Sequence, residues 1–199
     1  SVLFSRFLSR KDNVWLLYWV KNIDQEATHI ATKLGIADRV ERTAKQQAYI
    51  KLKDHKEHFN NNPTCRLINP AKSELGRVSK KILDDINNSI RRKTSLNQWR
   101  STSEVINWYN NIQEKNRHSF LVFDIDSFYP SISEKLLLDA ISYAKKYTTV
   151  TDQHIDIIMH CRKSLLFDND TTWVKRNNEH FDISMGSYDG AEICELVGL

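Results

Sequence analysis

Ser119-Phe-Leu-Val-Phe-Asp-Ile-Asp-Ser-Phe-Tyr-Pro-Ser-Ile132 runs a continuous apolar stretch into two acidic residues and then into a turn. A short apolar run bounded by turn residues has the form of a strand buried on both faces. The reading is therefore a buried strand over 119–125 that presents carboxylates at its mouth. Asp124 and Asp126 alternate across Ile125, so on a straight strand both leave by one face. A buried strand is a rigid platform for such groups, and carboxylate oxygens suit hard divalent cations. Taken alone, Asp-x-Asp at a strand end also serves to begin a turn or cap a helix.

Working outward, Ser131-Ile-Ser-Glu134 has the pattern of a capping box. It predicts a helix burying Leu136, Leu137, Ala140, Ile141 and Ala144. Another helix is expected over 151–163. The segments 165–167 and 172–174 then pair around Asp168-Asn-Asp170. Met185-Gly-Ser-Tyr-Asp-Gly190 reads as a glycine turn leading into a helix. Upstream, Ser101-Thr-Ser-Glu104 is a second capping box, opening a helix that carries Val105, Ile106, Trp108, Tyr109 and Ile112. Over 73–93, Leu75, Val78, Ile82, Ile86 and Ile90 follow a helical period. Ala48-Tyr-Ile-Lys-Leu-Lys53 alternates as a half-buried strand does. Strand character resumes over 64–68 after the polar Asn60-Asn-Asn-Pro63, which makes a hairpin with Lys51, Lys53, Lys56 and Arg66 on or near it. Residues 13–47 read as helical, with Gly35 a break between two helices.

Composition sets limits on all of this. The chain has 199 residues, 40% hydrophobic and 27% charged, which is ordinary for a soluble globular protein. Net charge is only +4, yet Lys and Arg crowd 45–56 and 77–100 while 118–139 is acidic. A basic flank beside an acidic centre suits phosphates on one surface and metal ions at another, although any single run also serves as a solvated helix face. Cys65, Cys161 and Cys194 have no paired spacing, which argues for a reducing, intracellular setting. His154, His160 and Cys161 match no familiar zinc pattern. The apolar run 14–20 is too short to span a bilayer, and no signal peptide is visible. The expectation is a soluble intracellular protein without a membrane partner.

The string from Phe123 to Ile132 resembles motif A of template-dependent polymerases. The resemblance implies that Asp124 binds both metals and that the Ile125 carbonyl is a second-metal ligand. It also implies that Tyr129 lies under the incoming sugar, where a flat ring leaves no room for a 2′-hydroxyl and so selects deoxynucleotides by a built-in clash. Asp126 takes no catalytic role. Ser-x-Tyr-Pro-Ser-Ile is also found in family B DNA polymerases, but the Asn-Ser-x-Tyr-Gly string expected there is missing. Phe181-Asp-Ile-Ser-Met-Gly-Ser-Tyr-Asp-Gly-Ala-Glu192 instead looks like motif B of reverse transcriptases. Gly186 is then the motif glycine, and Met185 stands where many relatives carry Gln. Lys53-Asp-His-Lys56 and Cys65-Arg-Leu-Ile-Asn-Pro70 are similar to the fingers hairpin of that family. There Arg66, with Lys53 or Lys56, would close on the triphosphate, a planar fork and a point charge meeting phosphate oxygens. Lysines on a hairpin edge also act as gatekeepers against aggregation.

The resemblance covers about 47–199 and looks closest to reverse transcriptases of Penelope-like and non-long-terminal-repeat retroelements. It implies an α+β right hand: N-terminal helices and fingers over 1–118, hairpin at about 47–70, and a partial palm over 119–199 with a ferredoxin-like antiparallel sheet packed by helices. It further implies RNA-directed DNA polymerisation with two Mg2+ ions, an RNA template, a DNA or RNA primer and deoxynucleoside triphosphates. Two alternatives stay open: a DNA-templated polymerase with a related palm, and an inactive, domesticated module that binds nucleic acid or protein. Such enzymes complete the metal site with a Tyr-x-Asp-Asp hairpin, and none occurs here. The adjacent pair Asp84-Asp85 lies upstream, inside a helical pattern. The 199-residue chain alone is therefore expected to show little or no primer extension.

Overall fold

A computed structural model describes residues 8–10, 13–37, 46–55, 59–61, 63–70, 72–96, 98–99, 101–168, 171–175 and 181–199. The architecture is α+β. In chain order it runs β1 (Leu8–Arg10), α1 (Asn13–Lys33), β2 (Tyr49–Leu52), β3 (Cys65–Ile68), α2 (Glu74–Thr94) and α3 (Thr102–Asn111). It continues with α4 (Phe128–Ser131), α5 (Glu134–Ala144), α6 (Asp152–His160), β4 (Leu166–Asp168), β5 (Thr171–Lys175) and α7 (Gly190–Gly198).

Helix boundaries follow local chemistry. Ser73 caps α2 by accepting from the Gly76 amide at 3.1 Å, and Ser101 caps α3 by accepting from Glu104. Thr151 caps α6 through the His154 amide. Gly35, at φ +67°, follows α1 where the break was expected; the segment 38–45, also read as helical, lies outside the described residues. At α5 the cap differs from the expected box: Ser133, not Ser131, accepts from the Leu136 amide. Ser131 instead donates to the Phe128 carbonyl and closes the short α4. Ser133 prevails because its backbone is extended (φ −84°, ψ 162°), the conformation of an N-cap. α5 buries Leu137, Ile141 and Ala144, whereas Leu136 faces solvent.

The main core joins Leu83, Ile86 and Ile90 of α2 to Leu137 and Ile141 of α5, Ile158 of α6, and Ile193 and Leu196 of α7. It therefore unites elements from both sides of residue 118. Two antiparallel sheets flank it. β2 and β3 form the expected hairpin, with Tyr49 opposite Ile68 and Lys51 opposite Arg66. β4 and β5 pair as read, and β1 adds to the far edge of β5. Three residues with no alternation gave no signal for β1.

The expected buried strand over 119–125 does not form. The segment has no regular structure and stands out in solvent, with Leu121 82%, Val122 90% and Phe123 85% exposed. An extended run becomes a strand only when a neighbour takes its backbone hydrogen bonds. Among the described residues neither sheet includes it.

Candidate functional site

The hairpin carries the cations. Its register sets Lys51 directly across from Arg66, and Lys53 lies two residues along the same strand, so all three share one face. The Lys53 amide donates to the Thr64 carbonyl at 2.9 Å, which extends the pairing by one residue. Ile50, Leu52 and Leu67 occupy the opposite face and are exposed as well. The hairpin is thus a projecting ribbon with one basic and one apolar side. Lys56 lies outside the described residues. Lys51 enters this face by register.

Gly186 sits against the base of that hairpin. Its φ of +114° is a backbone setting that residues with a Cβ rarely adopt. A Cβ placed there would meet the Asn69 carbonyl oxygen at 3.0 Å and the Ile68 side chain at 3.1 Å. The Asn69 amide donates to the Met185 carbonyl at 2.9 Å, pinning the turn to the hairpin. Asn69 is itself buried, and its side-chain amide donates to Ser164 and to the Leu165 carbonyl. Asn69 entered the sequence reading only within the string similar to a fingers hairpin, and its clasp across three segments was not foreseen. Beyond the glycine, Tyr188 receives a hydrogen bond from Arg77 at 2.9 Å, with Lys72 and Arg77 over its ring.

Tyr129 reaches the same region from α4. It packs against the core at α7, with its ring 3.5 Å from where a Cβ on Gly190 would lie. Burial, together with the neighbouring Cys194 thiol, pushes its hydroxyl above the ordinary phenol range. Burial likewise raises Cys194 to about 11.

Asp124 and Ile125 lie in the exposed segment before α4. Asp124 lies outside any strand, and Asp126 follows in a turn with Ser127 at φ +53°. One carboxylate and one carbonyl are a partial donor set for two hard cations. Among the described residues no group of three His, Cys, Asp or Glu side chains is placed to hold a metal ion. The structure thus unites the hairpin base with the Gly186 turn, and α4 with α7, while Asp124 is exposed. No helix among the described residues is long and apolar enough to cross a membrane. The chain matches no family model, no curated protein and no solved structure.

Proposed function

We propose that this chain is the fingers and upper palm of an RNA-directed DNA polymerase. The observation that carries the reading is the meeting of the Gly186 turn with the hairpin base, through Asn69 and Met185. These two strings lie more than a hundred residues apart, and the one resemblance assigns both to the same nucleotide site. On this reading Arg66, Lys51 and Lys53 receive the triphosphate, and Lys56, outside the described residues, is assigned to it by the resemblance alone. Tyr129, held against α7, limits the sugar, and the Gly186 turn lets a backbone approach closely. Asp124 and the Ile125 carbonyl would be ligands to Mg2+, which supplies charge neutralisation for phosphoryl transfer when bound. The residues present are a partial set for it.

Binding of deoxynucleoside and ribonucleoside triphosphates to the chain tests the proposal. Deoxy forms are expected to bind tighter, Arg66→Ala to weaken both about tenfold or more, and Tyr129→Ala to erase the preference. Equal binding of the two forms, unmoved by Tyr129→Ala, would sink it. A second reading, a non-catalytic nucleic-acid-binding module, is favoured by the exposure of Asp124 on a segment outside both sheets. It expects steeply salt-dependent RNA binding that survives Asp124→Ala, without nucleotide preference.

A further inference from the structure

The exposed segment after α3 is ordered by charge along the chain. The basic residues Lys115, Arg117 and His118 precede it, Phe120-Leu-Val-Phe123 is apolar, and Asp124 and Asp126 follow. Such a run is its own complement when two copies lie antiparallel. Opposite charges on neighbouring strands attract and like charges repel, so antiparallel pairing is favoured over parallel. With a two-fold axis between Leu121 and Val122, Phe120 falls opposite Phe123 of the other copy, and Arg117 opposite its Asp126. Arg117 is exposed and pairs with an exposed Glu114 within its own chain, a contact exchanged at little cost.

The segment also lacks what a partner strand supplies. Among the described residues no backbone–backbone hydrogen bond involves 119–125, and neither sheet includes it. Its apolar surface continues onto α3. The Phe120 ring lies 5.9 Å from Trp108 and 5.7 Å from Tyr109, and Trp108 meets Trp99 at 4.6 Å. All four rings remain exposed, as does Ile106, one turn before Tyr109 on α3. Aromatic side chains bury roughly 150–250 Å2 each. With Leu121, Val122 and Phe123, the exposed parts of these residues come to about 1,000 Å2 per copy, against the ~800 Å2 that each partner gives a standard interface.

We propose that 119–125 is a dimerisation strand, through which two copies of this chain pair antiparallel with the α3 rings flanking the joint. A second copy brings the same unpaired backbone, the same apolar run and the reversed order of charge. The contact is isologous and closes at two. A nucleic acid would use the rings but leave the backbone of 119–125 unpaired, and Asp124 and Asp126 would repel its phosphates. The dimer is independent of the polymerase reading, which nucleotide titration tests separately.

Sedimentation velocity of the purified chain over a range of concentrations tests this. A closed dimer is expected, with a dissociation constant in the micromolar range or below. Val122 is 90% exposed in the single chain, so Val122→Lys leaves its core intact while placing a charge in each half of the joint. It should weaken the dimer about tenfold or more. Arg117→Glu and Asp126→Arg should each weaken it severalfold. The two together should restore it, because exchanged charges again face their opposites across the axis. A chain that stays monomeric at the highest concentration, growth past the dimer, or a dimer unmoved by Val122→Lys would overturn the proposal. So would a doubly exchanged chain that pairs no better than the single variants. A monomer that takes up a single-stranded oligonucleotide at these rings would also overturn it, assigning the surface to nucleic acid.

Discussion

Gly35 and Gly186 both hold positive φ, +67° and +114°, but their surroundings differ. Among the described residues nothing lies within 4 Å of a Cβ built on Gly35, whereas one on Gly186 is pressed against the Asn69 backbone at 3.0 Å. Backbone atoms cannot swing aside as a side-chain tip can. Gly35→Ala is therefore expected to cost only the left-handed penalty, about 1 kcal/mol. Gly186→Ala adds the clash and is expected to cost about 2–3 kcal/mol. Urea denaturation of the two variants compares them directly. Equal costs would show that the turn parts from the hairpin without resistance. The position of Gly186 was legible because glycine before a helix signals a turn. Its contact with Asn69 was not, because nothing local to either residue encodes a packing between segments so distant in the chain.

At the scale of elements, the ends of helices were easier to read than their surroundings. Ser73, Ser101 and Thr151 cap where a hydroxyl meets free amides, a local interaction. Burial of 119–125 failed as an expectation because it depends on a partner strand, which apolar composition alone does not supply. α3 shows the same limit: its Ser101 cap formed, yet it buries no residue. The tie among α2, α6 and α7 was equally invisible in sequence. There Ser79 of α2 donates to Asp189 at 2.5 Å, and Arg162, just past α6, donates to the same carboxylate at the start of α7. Arg162 and Asp189 are each 1% exposed. Removing one partner leaves a buried charge, so Arg162→Met is expected to cost about 3–5 kcal/mol. Replacing Asp189 with Leu in the same chain should recover a large part of that loss. A double-mutant cycle by chemical denaturation reads the coupling, and additive losses would mean that the ion pair does not join these elements.

Across the whole molecule, α1 is held to α6 by a small charged cluster that makes stability depend on pH. His160 is 7% exposed and lies 3.5 Å from Glu26 of α1, which also pairs with Lys163. Burial depresses the imidazole below its ordinary 6.5; Glu26 and Asp24 oppose that shift and Lys163 adds to it. Burial alone would raise the Glu26 carboxyl, but the Lys163 hydrogen bond and the His160 and Lys163 charges bring it below 4.5. Both signs work the same way. Below about pH 6.5 the unfolded chain binds a proton on histidine that the folded chain resists, so stability falls as pH drops toward the lower folded value. Below about pH 4.5 the unfolded chain likewise takes up a proton that folded Glu26 resists, and a second loss follows. The denaturation midpoint is therefore expected to decline between ~pH 7 and ~pH 5, more steeply in the native chain than in His160→Gln. Parallel decline in the two would place the acid sensitivity elsewhere. A flattened profile in the variant, with α1 released first at low pH by hydrogen exchange, would locate it at the α1–α6 contact.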